Sequence, residues 1–526
     1  MFAPPQALHL NFAAALDRVV AALGRMHGLY IDGAWVMRNA TTAKRDPAHL
    51  QRVLGHFSLA SVADVGTAVA AARRAFPAWR ATPWQRRVEL LARVGEIMNA
   101  RLYDLAAAVS LEVGKNRMEA LGEVAEVSAF IDIYARQMVE NHGYDHPLPD
   151  DPLPGFPSRN RSVLKPYGVW AIIAPFNFPF ALAGGPAVAA LLAGNTVVLK
   201  GSLDTPWSGL LLAQCLHEAG VPPGVFNYLA GDGAHVGDAL IAHDGIDGIT
   251  FTGSHAVGMH ILRTQAARDY PRPCIAEMGG KNAAIVTAAA DLDVAAQGIV
   301  RSAFGMSGQK CSALSRIYVD RRVADDLIEA LRTATAKLSV GEPQRETTYM
   351  GPVTTRAAHE RYASCCDALK EHGSRILLGG KILTEGAFAD GLYCAPTIAQ
   401  APLEHPLWTR EMFAPIAMLA PVDDAAQAMA LANASHFGLT AGFYGAEDEV
   451  AWFFDNIEAG VTYANRPQGA TTGAWPGYQP FGGWKASGST GKALASFHYL
   501  PQYLREQSQT RILHELARSN PDDHLQ

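Results

Sequence analysis

Between residues 168 and 275, short apolar runs alternate with helix-periodic ones. VWAIIAP leads into a helical stretch, then NTVVLK, the helix SGLLLAQCLHEAG, VFNYLAG and DGITFTGS. This rhythm predicts βαβ units and a parallel sheet covered by helices. It restarts near residue 276 with AAIV, a helix from Asp293, SRIYVD and the helix ADDLIEALRTATAKL, which predicts a second α/β domain. Upstream, VADVGTAVAAARRAFPAWR and VELLARVGEIMNARLYDLAAAVSLEVG place apolar residues at helical spacing. LYIDGAWV reads as a hairpin turning at Asp32-Gly33. Residues 145–166 are dense in proline and predict an extended connector or edge element. The lead over 1–27 has no basic n-region, and Asp17 and Arg18 interrupt its apolar run. It reads as a surface amphipathic helix rather than a signal peptide.

Residues 166–199 carry no charge, a length that could span a bilayer. Pro175, Asn177, Pro179, Gly184-Gly185 and Pro186 punctuate the run. A buried strand, a loop, a buried helix and a second strand account for it better, and no membrane partner is expected. With 526 residues, 49% of them hydrophobic, the chain can bury more than one core. A net charge of -6 without any basic run excludes a nucleic-acid footprint. The cysteines at 215, 274, 311, 365, 366 and 394 form no CxxC pair and no Cys/His cluster at zinc spacing. No metal site is expected from them, and they suit a reducing, cytoplasmic compartment.

Chemistry in an open parallel sheet gathers beyond the carboxyl ends of the strands. Asn177 lies there after VWAIIAP, Lys200 after NTVVL, and Gly253 after DGITFT. Gly253 to Gly258 is an interval of five, so GxGxxG is absent and a plain tight turn is the ordinary reading. Glu277, before Gly279-Gly280, is either a solvated loop charge or a general base on a hinge. Cys311, in SGQKCSA, is either a small buried residue or a nucleophile.

Several motifs taken in order separate these readings: PFNFP at 175–179, VVLKGS at 197–202, FTGSHAVG at 251–258, EMGGKN at 277–282, GQKCS at 308–312, EMFAPI at 411–416 and PFGGWKASG at 480–488. Together they resemble the aldehyde dehydrogenase superfamily over roughly residues 28 to 510. The resemblance implies a Rossmann-like α/β cofactor domain, a second α/β catalytic domain and a small oligomerisation hairpin. It assigns 1–144 and 167–275 to dinucleotide binding, 276–480 to the domain carrying the nucleophile, and 145–166 with 489–515 to oligomerisation and bridging. It makes Cys311 the nucleophile, Asn177 a donor to the alkoxide and Glu277 the base that activates water. For the cofactor it implies Ala174, Pro175, Phe176, Lys200, Ser202, Leu203, Gly233, Gly237, Phe251, Thr252, Gly253, Ser254, Gly258, Gly279, Glu411 and Phe413.

Many NAD-preferring relatives carry a glutamate three positions after the lysine, where this chain has Leu203. NAD ranks first, and Leu203 leaves NADP open. Ser312, directly after the nucleophile, and the loop 472–479 before PFGG look like the Δ1-pyrroline-5-carboxylate (L-glutamate γ-semialdehyde) dehydrogenase branch. That likeness implies NAD(P)-dependent oxidation of L-glutamate γ-semialdehyde to L-glutamate in proline catabolism. It places Phe178, Lys310, Ser312, Gly473, Ala474 and Phe481 around the substrate. Ala474 departs from the serine of some relatives, and Trp475-Pro476 is bulky for such a loop. A different acid semialdehyde or a broad aldehyde range therefore stays open beside it. A non-catalytic member of the fold is a remoter alternative. The 28-residue lead is too short for an added catalytic unit, so a separate enzyme or pathway is expected to supply the aldehyde. A homodimer, or an oligomer built of dimers, is the expected assembly.

Overall fold

The computed structural model describes residues 5–152, 157–467 and 475–513. Two seven-stranded sheets dominate it. The first runs in the order Cys274–Glu277, Gly248–Thr252, Val169–Ile173, Thr196–Gly201, Phe226–Ala230, Leu29–Ile31 and Ala34–Val36. Its first five strands are parallel, as the βαβ rhythm predicts. The last two form the antiparallel hairpin at Asp32-Gly33, whose φ angles of 53° and 82° are the left-handed pair that a tight hairpin turn needs. The Asp32 N–H donates to the Asn227 side chain at 2.9 Å and ties the hairpin to the sheet.

The uncharged run forms the centre of this sheet. Val169–Ile173 and Thr196–Gly201 are buried throughout, and the helix Ala181–Ala193 between them is buried at every position but Leu182. A strand buried on both faces has no polar side, which is why its sequence shows no alternation. Gly184 and Gly185 let this helix approach Arg117–Glu140: a Cβ there would stand 2.7 Å from Val127 and 2.9 Å from Phe130. Among the described residues no helix is long and apolar enough to cross a membrane.

The second sheet runs Arg375–Leu378, Thr397–Gln400, Ile416–Val422, Leu314–Asp320, Asn282–Val286, Thr440–Tyr444 and Val461–Ala464. It is parallel except at Arg375–Leu378. The proline-rich connector becomes two strands of a third sheet, Asp145–Leu148 and Ser158–Pro166, and Leu504–Ile512 pairs antiparallel along Ser158–Pro166.

The structure corrects two boundaries. The expected division at 275/276 falls inside the strand Cys274–Glu277, because Ile275 and Ala276 complete the core of the first sheet. The chain crosses between the sheets just after Glu277. The segment 489–515, expected to bridge, is not one unit either. Leu494, Ala495, Tyr499, Leu500 and Tyr503 belong to the first core, with the Tyr503 ring 4.6 Å from Trp170, and pairing with the third sheet begins only at Leu504. The first 60 residues hold a further three-stranded sheet, ordered Arg25–His27, Val53–Ser58 and Thr41–Arg45, that the helical reading of the N-terminal region left out.

Beneath the PFNFP loop lies a buried ion pair. Lys115 Nζ is 2.5 Å from Glu123 Oε2, and neither side chain reaches solvent. The other Glu123 oxygen accepts the N–H groups of Phe180 and Ala181, the first turn of the central helix. Lys115→Met leaves that carboxylate uncompensated and is expected to destabilise the protein by about 3–5 kcal/mol. Urea unfolding measures the loss, and adding Glu123→Gln to Lys115→Met should recover part of it. An unchanged unfolding midpoint for the single variant contradicts the assignment.

Candidate active site

The turn before Cys311, the expected nucleophile, is conformationally unusual. After the helix Leu292–Phe304 come three consecutive left-handed residues, Met306 (φ 50°), Ser307 (φ 54°) and Gly308 (φ 67°). Left-handed backbone costs a residue with a side chain roughly 1–2 kcal/mol, so neighbouring contacts must over-determine the turn. Ser307 Oγ donates to the Gly351 carbonyl at 2.6 Å. The Gln309 N–H and Nε2 both donate to the Met306 carbonyl, at 3.1 and 3.3 Å. Position 308 must be glycine, since a Cβ would lie 2.2 Å from the Ala414 carbonyl oxygen.

Cys311 follows this turn, just before the strand Leu314–Asp320. Burial pushes its thiol up to about 12, and the nearby carboxylates of Glu411 and Glu277 push in the same direction. The N–H groups of Ser312 and of Cys311 itself oppose them. Asn177, 4% exposed, reaches the turn from the first sheet, and its Nδ2 donates to the Gln309 carbonyl at 2.9 Å. An amide nitrogen carries two hydrogens, so one is left for a ligand. Glu277 ends the strand Cys274–Glu277. Burial lifts its carboxyl to about 8 against the N–H of Gly483, and Oε2 is buried with no hydrogen-bond partner among the described residues. Asn177, Glu277 and Cys311 thus come together from three separate segments.

The positions expected around a cofactor line the neighbouring strand ends. Lys200, in the strand Thr196–Gly201, is 7% exposed, and burial lowers its pKa while Asp232 and Asp204 raise it. The Ala174 N–H donates to the Lys200 carbonyl, leading the chain into Pro175 and Phe176. Ser202 Oγ accepts the Asp204 N–H at 3.2 Å, with Leu203 half-buried between them. Gly233–Gly237 forms one helical turn capped by Asp232, and a Cβ on Gly237 would just touch the Lys200 side chain. Phe251 and Thr252 close the strand Gly248–Thr252. Gly253 then leads to Ser254, whose hydroxyl caps the helix His255–Ala266. Gly258 brings that helix against Met278, with 2.5 Å between a Cβ and the sulfur. Glu411 Oε1 accepts the Gly280 N–H at 3.0 Å, and a Cβ at Gly279 would lie 2.3 Å from the other oxygen. Phe413 (φ 51°) meets Phe176 edge-on at 5.8 Å. These groups suit a dinucleotide: a capped helix N-terminus for phosphate, a cation, and a buried carboxylate for hydroxyl groups.

Of the positions expected around the substrate, Lys310 has its Nζ 3.3 Å from Glu119, Ser312 is 7% exposed, and the Phe178 ring centre lies 3.4 Å from Lys115 Nζ. Phe481 exchanges backbone hydrogen bonds with Leu494. Gly473 and Ala474 lie outside the described residues.

The sequence model of the aldehyde dehydrogenase family matches residues 35–508. The chain belongs to the aldehyde dehydrogenase family. Among its relatives, this aldehyde dehydrogenase is 37% identical over 513 residues to the 1-pyrroline-5-carboxylate dehydrogenase of Geobacillus thermodenitrificans, with 96% of each chain covered. A solved 1-pyrroline-5-carboxylate dehydrogenase from Thermus with bound NAD superposes with a TM-score of 0.90 at 35% identity, again over 96% of each chain. Proline utilization A from Bdellovibrio bacteriovorus superposes with a TM-score of 0.91 at 32% identity, over 97% of this chain and 53% of that one.

Sequence reasoning missed two features of this aldehyde dehydrogenase. One is the acidic face of Arg117–Glu140, where Glu119, Glu123 and Glu126 share a side of the helix at spacings of four and three. Burial, then the Glu123 charge, lifts the Glu126 carboxyl to about 8, against Lys115 and Lys310. The spacing was visible, but acids on a helix ordinarily face water. The other is Gln309, hidden beside the cysteine that drew attention.

The thiol position yields a test. A thiol held at about 12 is almost wholly protonated near neutral pH in the cofactor-free protein. Alkylation of Cys311 by iodoacetamide should therefore rise about tenfold per pH unit from 7 to 10. Glu411→Gln, which removes a neighbouring charge, should speed it. A plateau below pH 9 contradicts this.

Proposed function

We propose that this aldehyde dehydrogenase oxidises L-glutamate γ-semialdehyde, the open form of 1-pyrroline-5-carboxylate, to L-glutamate with NAD. The observation that carries the reading is the convergence of the Cys311 thiol, the Asn177 amide and the Glu277 carboxyl with its unpartnered oxygen. Similarity to 1-pyrroline-5-carboxylate dehydrogenases over nearly the whole chain supports the substrate, and the NAD-bound Thermus structure supports the cofactor.

The roles follow from the chemistry. Cys311, as thiolate, attacks the aldehyde carbon and forms a tetrahedral alkoxide. The second Asn177 N–H and the Cys311 N–H donate to that oxygen. Lys200, Ser254 and the helix turn capped by Asp232 would hold the cofactor from the first sheet, and Glu411 and Phe413 from the second. Bound there, NAD supplies the hydride acceptor. The carbon left on Cys311 is a thioester. Glu277 takes a proton from the water that attacks it, and glutamate leaves as the thiol is restored.

Ser312, Lys310 and the 473–474 segment receive the substrate α-carboxylate. Asp204 and Asp232 near Lys200 disfavour the 2′-phosphate of NADP despite Leu203. The third sheet, with its outer strands open, joins two copies into a dimer. The six cysteines, all free, suit a cytoplasmic enzyme.

Three kinetic results check this reading. The kcat/KM for glutamate semialdehyde with NAD should exceed that for succinate semialdehyde or simple aliphatic aldehydes by about tenfold or more, reflecting the extra polar contacts. Equal values overturn the substrate. A base with a pKa near 8 works deprotonated, so hydrolysis of the Cys311 thioester, read as the steady-state rate after the NADH burst, should climb with pH through about 8 and level off above it. Glu277→Gln should lower kcat by about 10²–10⁴ and abolish that climb. An unchanged pH profile in the variant removes Glu277 from the role.

A further inference from the structure

The side-chain amide of Asn177 presents a problem of orientation. Its oxygen and nitrogen are nearly the same size, and a half-turn about the last bond exchanges them. With oxygen toward the thiol, the amide would repel an alkoxide. One contact decides between the two states: Nδ2 donates to the Gln309 carbonyl at 2.9 Å. In the exchanged state two acceptor oxygens would face each other in a buried site, which is unfavourable.

The Gln309 carbonyl is itself pinned. Gln309 is wholly buried and uses both ends of its side chain. Oε1 accepts the Thr354 N–H at 3.0 Å, and Nε2 donates to the Met306 carbonyl at 3.3 Å. Thr354 Oγ1 in turn donates to the Val113 carbonyl at 2.8 Å, where the helix Leu102–Val113 ends. A chain of hydrogen bonds therefore runs from that helix end through Thr354 and Gln309 to Asn177. It links the first sheet's helical layer, the 351–354 segment and the left-handed turn before the nucleophile.

We infer that Gln309 is a positioning residue for the alkoxide donor: its side chain locks the peptide whose carbonyl keeps the Asn177 nitrogen turned toward Cys311. This rests on the reading of Asn177 given above. Gln309 touches neither substrate nor cofactor in this role. Its contribution to turnover passes through Asn177, and the nucleophilicity of Cys311 does not depend on it.

A double-mutant cycle tests this. Gln309→Leu removes both side-chain bonds at similar volume, while Gln309→Glu keeps the acceptor for Thr354. In the otherwise native enzyme, Gln309→Leu should lower kcat for aldehyde oxidation by about 10–100-fold, less than or comparable to the loss of a direct oxyanion donor. The KM for NAD and the iodoacetamide rate at Cys311, at one fixed pH, should each stay within about threefold, because alkylation forms no alkoxide. Gln309→Glu should restore part of kcat. Combined with Asn177→Ala, Gln309→Leu should add less than about twofold. A full repeat of its loss in that background, or an alkylation rate falling in step with kcat, overturns the inference. Full kcat in Asn177→Ala alone instead overturns the reading of Asn177 as donor. Where Gln309→Leu does not fold, the same cycle with Gln309→Glu gives the comparison, and additive losses again overturn the inference.

Discussion

The site depends on one contact between two sheets. Asn177 leaves the first sheet in a loop, and the turn carrying Cys311 enters the second sheet at Leu314–Asp320. They meet where the Asn177 amide reaches the Gln309 carbonyl. Each partner is held by its own layer: the turn by Gly351 and Thr354, and the PFNFP loop by Glu123 capping the Phe180 and Ala181 N–H groups. The left-handed run at Met306 and Ser307 persists because these contacts surround it. A loosely held turn would relax and move the Cys311 thiol away from Asn177.

Burial sets the electrical character of the same place. Glu277 and Glu126 are lifted toward 8 and Cys311 toward 12, each first by loss of solvent. Charge is costly there until a partner brings the opposite sign. A bound group of opposite sign stabilises the ionised forms that burial otherwise suppresses. The fully buried Lys115–Glu123 pair is the structural counterpart. It meets its own charge requirement internally, and Lys310 pairs separately with Glu119 at 3.3 Å.

Much of the fold was legible from local rules. Asp32-Gly33 marked its hairpin because left-handed φ at both turn positions favours such residues. The prolines within 166–199 marked a buried strand, helix and strand rather than a spanning helix, and the structure has that arrangement. The sheet boundary was less legible. Cys274–Glu277 is an edge strand whose membership follows from pairing with Gly248–Thr252, a neighbour more than twenty residues away. The sheet at 25–58 escaped for the same reason: its short strands carry little pattern until they pair.

Residue order alone establishes the family, because motifs such as PFNFP, EMGGKN and GQKCS are local and recur in sequence. It also establishes that Cys311 differs from the other five cysteines, since only that one lies within such a motif. Tertiary structure decides the rest. Whether the Asn177 amide presents nitrogen or oxygen depends on a carbonyl 132 residues away. Whether Glu126 keeps its water depends on which side of Arg117–Glu140 packs inward. Protonation at Glu277 and Cys311 depends on how completely distant segments exclude solvent. Hydrogen-bond direction and desolvation are properties of three-dimensional neighbours, and no local pattern along the chain encodes them.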